Sequence, residues 1–73
     1  MSAVSAPLPI TVNGNPAECP PGLSVEALIL HLNLPAGRVA VERNREIVSR
    51  GTRETVLVQP GDVFEIVTFV GGG

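Results

Sequence analysis

The apolar segment that closes the sequence constrains the fold more than any other feature. From Val63 to Val70 only Glu65 and Thr68 interrupt a run of apolar residues, and three glycines follow. A strand with one solvated face normally alternates apolar and polar residues, whereas a strand covered or flanked on both sides has a nearly continuous apolar run. The segment is therefore predicted to be the central strand of a sheet.

The size and composition limit what else the chain can hold. Its 73 residues suffice for one domain, and 44% of them are apolar. A domain of about 60 residues buries only about 60% of its unfolded surface, so a single core must take most of the apolar side chains. The net charge of −2 and only two aromatic residues argue against binding to nucleic acid phosphates or bases. Little of the chain is left for an active site of its own.

The two ends of the chain bear on the cellular compartment and on the domain boundaries. Residues 1–7 have no basic start and no long apolar run, so they do not resemble a secretory signal. No stretch approaches the length of a membrane span. We expect a cytoplasmic protein without membrane contact, with a flexible arm at residues 1–7, a domain at residues 8–70 and a glycine tail at residues 71–73.

The first third of the chain predicts a β-hairpin. Apolar residues alternate with others over residues 8–12, which is the period of a half-buried strand. Asn13-Gly14 follows, and both positions tolerate the positive φ angles of a tight hairpin turn. Residues 16–19 should therefore return antiparallel, and Pro16 restricts them to an edge strand.

A helix is predicted next. Ser24 is a good N-cap, so the helix should begin at Val25. Four apolar residues recur at helical spacing and form one stripe toward the core: Val25, Leu28, Ile29 and Leu32. Pro35 and Gly37 are expected to stop the helix.

The second half predicts further strands. Residues 38–43 have the pattern of a strand, Asn44-Arg45 that of a turn, and residues 46–48 that of a short strand. Residues 49–55 are expected to form one helical turn, and residues 59–62 a turn before the last strand. A hairpin, a helix, two strands and a terminal strand are best packed as a small mixed sheet with the helix across one face, which is the order of the α+β class β-grasp fold.

Cys19 and His31 are the candidate reactive side chains. Nothing near Cys19 in sequence resembles a base, so a small buried apolar residue is favoured over a nucleophile. His31 lies off the apolar stripe and should face solvent. A single cysteine and a single histidine are too few for a metal site built from these ligands, so no catalytic residue and no metal are expected.

Charged residues cluster in the second half of the chain. The middle is basic and the start of the last strand is acidic, through Arg43, Arg45, Arg50, Arg53, Asp62 and Glu65. Such side chains usually belong to the solvated surface. The alternative is that they steer docking with a charged partner.

The last strand also predicts a surface beside the tail. Phe64, Ile66, Thr68 and Val70 point one way, and Val63, Glu65, Val67 and Phe69 the other. If the helix covers the first set, Val67 and Phe69 lie on the open face as a partner docking surface. The alternative is that residues 49–58 cover this face.

The glycine tail itself is the candidate reactive end. Glycines pack no side chain and cannot continue a strand cheaply, so Gly71, Gly72 and Gly73 form a thin peptide that a narrow channel of another protein can admit. A frayed, functionless end is the alternative. A central strand just before the tail favours a functional end, because it holds the tail at a defined place.

Two segments resemble one family. Residues 41–48 (VERNREIV) and residues 61–73 (GDVFEIVTFVGGG) are similar to the ThiS family, the ubiquitin-like β-grasp sulfur carriers of thiamine biosynthesis. The resemblance spans roughly residues 8–73. It implies a protein cosubstrate that is not an enzyme and that binds no cofactor itself.

The resemblance also implies the chemistry and the partners. An adenylating enzyme of the ubiquitin-activating type would use ATP to convert the Gly73 carboxylate into an acyl-adenylate. Sulfur from a persulfide donor would then leave a thiocarboxylate (1-thioglycine) on Gly73, and thiazole synthase would use that sulfur for the thiazole ring. Gly71 and Gly72 would thread the partner's channel, and Val67 and Phe69 would dock.

Three other functions stay open at this point. The small sulfur-carrying subunit of molybdopterin synthase has the same fold, tail and chemistry, although residues 41–48 favour thiamine. A ubiquitin-like modifier would be ligated to target lysines. A β-grasp interaction module without carrier function would keep its partners after deletion of Gly72 and Gly73.

Overall fold

The computed structural model describes residues 6–69, so predictions for residues 1–5 and 70–73 lie outside the described part. It contains five strands, one α-helix and two 3₁₀ turns. The strands are β1 (Leu8–Val12), β2 (Asn15–Cys19), β3 (Val39–Arg43), β4 (Glu46–Ile47) and β5 (Val63–Thr68); the helix is α1 (Val25–His31), and the 3₁₀ turns are Ala36–Arg38 and Arg50–Thr52.

The strands form one mixed sheet in the order β2-β1-β5-β3-β4. The last strand is therefore central, as predicted. It pairs parallel with β1 and antiparallel with β3, and the two hairpins β1-β2 and β3-β4 are antiparallel. This order, with α1 packed against one face, confirms the predicted β-grasp fold.

The first hairpin follows from its turn. Asn13 and Gly14 have φ angles of 51° and 82°. A two-residue hairpin turn of type I′ requires positive φ at both positions. β2 lies at the edge of the sheet, where Pro16 does not interrupt a second ladder. The predicted hairpin and edge strand are both confirmed.

The helix begins as predicted but ends for a different reason. The Ser24 Oγ accepts a hydrogen bond from the Ala27 N–H at 3.1 Å, which caps the first turn. At the other end Asn33 has a φ of 61°; its N–H donates to the Leu30 carbonyl, and the Leu34 N–H donates to the Ile29 carbonyl. This pair of bonds is a Schellman motif, so the helix ends before Pro35 is reached.

The core lies between α1 and the sheet. Its members are apolar residues from the helix, four of the strands and the connecting segments: Ile10, Cys19, Val25, Leu28, Ile29, Val39, Val41, Val48, Val58, Phe64 and Ile66. Leu32, the fourth member of the predicted helical stripe, is only partly buried. The stripe therefore faces the core along most of its length.

The predicted end residues of three strands in the second half need correction. β3 begins at Val39 because Arg38 belongs to a 3₁₀ turn, and β4 ends at Ile47. The helical turn expected in residues 49–55 is present as Arg50–Thr52. Within the described residues β5 ends at Thr68. Thr68 is exposed, although the alternation along the strand predicted that it points the same way as Phe64 and Ile66.

Two charged residues that were predicted to be solvated are buried. Arg53 is 3% exposed and Asp62 is 5% exposed. The Arg53 guanidinium donates to the carbonyls of Ala36 (3.1 Å) and Val39 (2.6 Å), so its charge is offset by backbone dipoles. Both side chains join segments that are distant in sequence, which a local pattern does not reveal.

Candidate functional site

One face of the sheet is covered by no helix of residues 6–69. Along β5 exposed and buried residues alternate, so Phe64 and Ile66 point into the core while Val63, Glu65 and Val67 point outward. Val67 is 58% exposed and Phe69 is 56% exposed. The apolar run therefore does not mean that both faces are covered, and the alternative that residues 49–58 cover this face is wrong.

Neighbouring strands extend the exposed surface. In the β3-β5 register Ala40 lies opposite Val67 and Glu42 opposite Glu65, and in the β3-β4 register Ile47 lies opposite Glu42. Ile47 is 81% exposed. We call the apolar part of this surface the open-face patch: Ala40, Ile47, Val63, Val67 and Phe69.

A shallow cavity lies in this surface. It has a volume of about 360 Å³ and is lined by Ala40, Glu42, Ile47, Glu65 and Val67. The sequence placed only Val63, Glu65, Val67 and Phe69 on this face. Ala40, Glu42 and Ile47 were missed because their position depends on strand register, which the alternation within one strand does not specify.

Two asparagines hold β5 from opposite sides. The Asn13 side chain accepts from the Ile66 N–H at 2.7 Å and donates to the Ile66 carbonyl at 3.0 Å. The Asn44 Oδ1 accepts from the Val63 N–H at 2.9 Å, and the backbone N–H of Asn44 donates to the Val63 carbonyl at 2.7 Å. Both asparagines lie in hairpin turns with positive φ, so each turn is tied to the strand that leads to the tail.

The start of β5 is held by a buried carboxylate. Asp62 accepts from the Arg43 Nε at 2.7 Å, from the Gln59 N–H at 2.8 Å and from the Asn44 Nδ2 at 3.0 Å. Burial pushes the pKa of Asp62 upward, but the hydrogen bonds and the positive charge of Arg43 outweigh it and hold the pKa below its ordinary value. The ionised form is therefore the stable one in the folded protein.

The end of β5 is held by the segment before β3. The Phe69 N–H donates to the Arg38 carbonyl at 2.7 Å. Arg50 donates to the Gly37 carbonyl at 2.6 Å, and Arg53 donates to the carbonyls of Ala36 and Val39. The last described residue is thus anchored to a turn that two arginines hold in place.

The remaining predicted site residues lie apart from this surface. Gly71, Gly72 and Gly73 are outside the described residues, so their roles stay predictions. Cys19 is 1% exposed, and burial, followed by the negative charge of Asp62, raises the pKa of its thiol above the ordinary value. Because the thiolate is the nucleophile, this environment disfavours reactivity. His31 is exposed, as predicted.

Residues 6–69 contain neither a cluster of metal-binding side chains nor a helix able to cross a membrane. This part of the chain contains no group of three or more histidine, cysteine, aspartate or glutamate side chains arranged to hold a metal ion. None of its helices has the length and apolar character that crossing a membrane requires.

Comparison with known proteins gives one consistent family. A family model described as the ThiS family matches residues 10–73. The chain is 44% identical over 64 residues to a thiazole synthase of Magnetococcus marinus and 42% identical to one of Paramagnetospirillum magneticum. Each match covers 88% of this chain and 20% of the relative, so the chain spans about a fifth of the length of these two proteins.

Shorter relatives and solved structures agree with this result. The uncharacterized protein ycf40 of Porphyra purpurea is 33% identical over 88% of this chain and 90% of its own length. The crystal structure of the thiamine biosynthesis protein ThiS from Geobacter metallireducens has a TM-score of 0.75 and 36% identity, covering 90% of this chain and 100% of that one. A solution NMR structure of a thiamine biosynthesis protein from the same organism has a TM-score of 0.74 and 35% identity, covering 90% of this chain and 88% of that one.

Proposed function

Because the chain belongs to the ThiS family, we propose that it is a protein cosubstrate that carries sulfur as a thiocarboxylate for thiazole formation in thiamine biosynthesis. The observation that carries the proposal is the extent of the family match, which runs from residue 10 through the three glycines to residue 73. The similarity to solved thiamine biosynthesis proteins favours thiamine over molybdopterin as the pathway.

The proposed chemistry takes place at Gly73. A carboxylate is a poor electrophile, because its negative charge repels nucleophiles and its oxygen is a poor leaving group. Attack of a Gly73 carboxylate oxygen on the α-phosphorus of ATP displaces pyrophosphate and gives an acyl-adenylate. The terminal sulfur of a persulfide then attacks the acyl carbon and expels AMP, and a second thiol reduces the acyl disulfide to leave the thiocarboxylate.

The chain's own residues contribute position and recognition to this chemistry. β5 is held by the side chains of Asn13 and Asn44 and by Asp62, and Phe69 is bonded to the Arg38 carbonyl. These contacts hold the strand and Phe69, which precede the tail in the sequence, at a defined position. ATP, the adenylating residues and the sulfur donor belong to partners in this proposal.

The proposed partners are an adenylating enzyme of the ubiquitin-activating type, a persulfide donor and thiazole synthase. Two bacterial thiazole synthases contain a stretch similar to this chain, which supports thiazole synthase as the protein that receives the sulfur. The exposure of Val67 and Phe69 supports the open-face patch as the docking surface. Gly71 and Gly72 would occupy the partner's channel, where a side chain has no room.

Intact-mass spectrometry tests the proposal. The chain ending at Gly73 is incubated with the adenylating enzyme, ATP and a persulfide donor. We expect a mass increase equal to the difference between sulfur and oxygen, located at Gly73 by fragmentation. Purified thiazole synthase, supplied with the small molecules that accept the sulfur in the thiazole ring, should then consume the modified chain and return the original mass.

Two matched variants serve as controls. Gly72→Val should fold normally but resist adenylation because of its side chain, and a chain with one alanine added after Gly73 should show no mass increase. Absence of the mass increase in the unmodified chain, or its presence in both controls, would contradict the proposal.

A further inference from the structure

Two carboxylates lie opposite each other in the middle of the open face. Glu42 on β3 and Glu65 on β5 are a cross-strand pair, and both are exposed. Residues in such pairs have Cβ atoms about 4.5–5.5 Å apart, and like charges directly opposite destabilise a sheet. The free protein therefore holds an unfavourable pair at this position.

Neither Glu42 nor Glu65 takes part in an ion pair within the described residues. Among residues 6–69 the one ion pair joins Arg43 to Asp62, at the start of β5. Arg50 and Arg53 donate to backbone carbonyls elsewhere. The strand residues that share the outward face include Glu18, Glu42 and Glu65 and no basic residue.

The two carboxylates are set in apolar surroundings. Ile47 lies opposite Glu42, Ala40 lies opposite Val67, and Glu42, Glu65 and these three residues line the same cavity of about 360 Å³. A partner that covers this cavity removes water from both carboxylates. Buried carboxylates without a cation are costly, so the partner must supply a positive charge.

Recognition has to reside in the folded surface because the tail is uninformative. Three glycines present no side chain, and every protein ends in a carboxylate. An enzyme that adenylates this chain and no other must therefore recognise the folded domain. The open-face patch includes Phe69, which precedes Gly73 by four residues in the sequence, so it is the described surface that adjoins the tail along the chain.

We propose that the open-face patch docks an apolar surface of the adenylating enzyme from which one cationic side chain, arginine or lysine, inserts between Glu42 and Glu65. An arginine suits this position well, because its planar guanidinium can donate to two carboxylates at once. The inference rests on the proposed function, since it names the chemistry of a partner in that function.

The proposal makes opposite predictions for stability and for binding. In the free chain, Glu42→Gln with Glu65→Gln removes the repulsion, so the melting temperature should stay the same or rise. In the complex the same change removes the charges that the partner's cation contacts. A purely structural role for the two glutamates would not produce a more stable protein that binds less well.

Isothermal titration calorimetry with the adenylating enzyme of the same organism, without ATP, tests the inference. We expect the Kd of the Glu42→Gln/Glu65→Gln variant to rise about tenfold. The Kd of the unchanged chain should rise with salt, and that of the variant should respond much less, because screening acts on the charges that the variant lacks. Glu18→Gln, on the same face but on the far edge strand, is the matched control and should bind normally.

Three results would overturn the inference: equal binding by the glutamine variant, an equal loss in the Glu18→Gln control, or no binding of the unchanged chain to the enzyme. A change in self-association in place of enzyme binding would assign the face to a second copy of the chain and would also overturn it. Failure of the proposed function is distinguishable, because the complex would then form without any thiocarboxylate appearing on Gly73.

Discussion

Asp62 joins three parts of the chain through one buried carboxylate. Its oxygens accept from Arg43, Asn44 and the Gln59 N–H, so it links the β3-β4 turn to the start of β5. The sequence predicted a solvated charge here. The partners Arg43 and Asn44 lie 19 and 18 residues away, and no local pattern identifies contacts at that separation.

The first prediction concerns the pH dependence of this carboxylate. The pKa of Asp62 in the folded protein is lower than its ordinary value of 3.8, so its ionised form stabilises the fold above that pH, and the contribution disappears as pH falls through the folded pKa. Asp62→Asn should lower the free energy of unfolding at pH 7 by about 2 kcal/mol, in the range for hydrogen bonds to charged groups. Urea unfolding of both proteins from pH 7 to below the folded pKa measures it.

Glu54→Gln is the control for this prediction, because Glu54 is exposed and accepts no hydrogen bond from the described residues. It should change stability little at any pH. A stability difference between Asp62→Asn and the unchanged chain that persists at full size below the folded pKa would contradict the assignment.

At the scale of elements, the junction between β1 and β5 is short although it lies in the middle of the sheet. Only two residue pairs, Thr11↔Val63 and Val12↔Phe64, form its parallel ladder. The Asn13 side chain continues the ladder, because its amide binds both the N–H and the carbonyl of Ile66 as a peptide group would. A side chain thus replaces a strand residue where the chain must turn into β2.

The corresponding prediction compares two asparagines with positive φ. Asn13→Gly keeps the turn conformation but removes both bonds to Ile66, and it should lower the free energy of unfolding by about 1–3 kcal/mol. Asn33→Gly is the matched control, since Asn33 has a φ of 61° and its side chain forms no hydrogen bond with the described residues. Glycine suits that position, so the control should stay within about 0.5 kcal/mol of the unchanged chain.

Chemical denaturation of the two variants under identical conditions measures this difference. Equal stabilities would show that the side-chain bonds from Asn13 to β5 do not contribute measurably to the free energy of unfolding. Hydrogen exchange at the Ile66 amide gives a local check, because Asn13→Gly should expose that N–H to faster exchange.

At the scale of the whole molecule, the helix covers one face of the sheet, and the side chains of the other face are exposed. A chain of this size has one core, and α1 is the only α-helix in the described residues that can close it. The exposed Val67, Phe69, Ile47 and Val63 therefore remain on the face opposite the helix. The same sheet holds the core on one side and the proposed docking surface on the other.

The prediction at this scale separates binding from folding. Val67→Thr with Phe69→Ser should weaken binding to the adenylating enzyme by about tenfold or more, because both side chains would lose apolar burial in the complex. Stability should change little, since both are more than half exposed in the free chain. Binding by calorimetry and melting by circular dichroism are measured on the same samples.

Leu30→Gln and Leu57→Thr are the matched controls, because these residues are exposed apolar side chains at 59% and 52% but lie outside the open-face patch. They should bind as the unchanged chain does. A general loss of affinity in all variants would indicate nonspecific apolar association and would argue against a defined docking surface.

The sequence alone determined the local structure and the central place of the last strand. Asn13-Gly14 specified the first hairpin, Ser24 specified the start of α1, and the apolar run from Val63 placed β5 between two neighbours. Turn conformation and capping depend on residues close in the chain, so their signals are local. The alternation along β5 likewise predicted that Val67 and Phe69 share one face.

Only the tertiary structure decided which residues of other strands join that face and which charges are buried. Register brings Glu42 opposite Glu65 and Ile47 opposite Glu42, and folding buries Arg53 and Asp62 on partners far away in sequence. A one-residue shift in the pairing of β3 or β4 would turn Glu42 or Ile47 to the opposite face of the sheet. The energy of such contacts depends on the distances between side chains that the whole fold brings together. A pattern of neighbouring residues along the chain does not specify those distances.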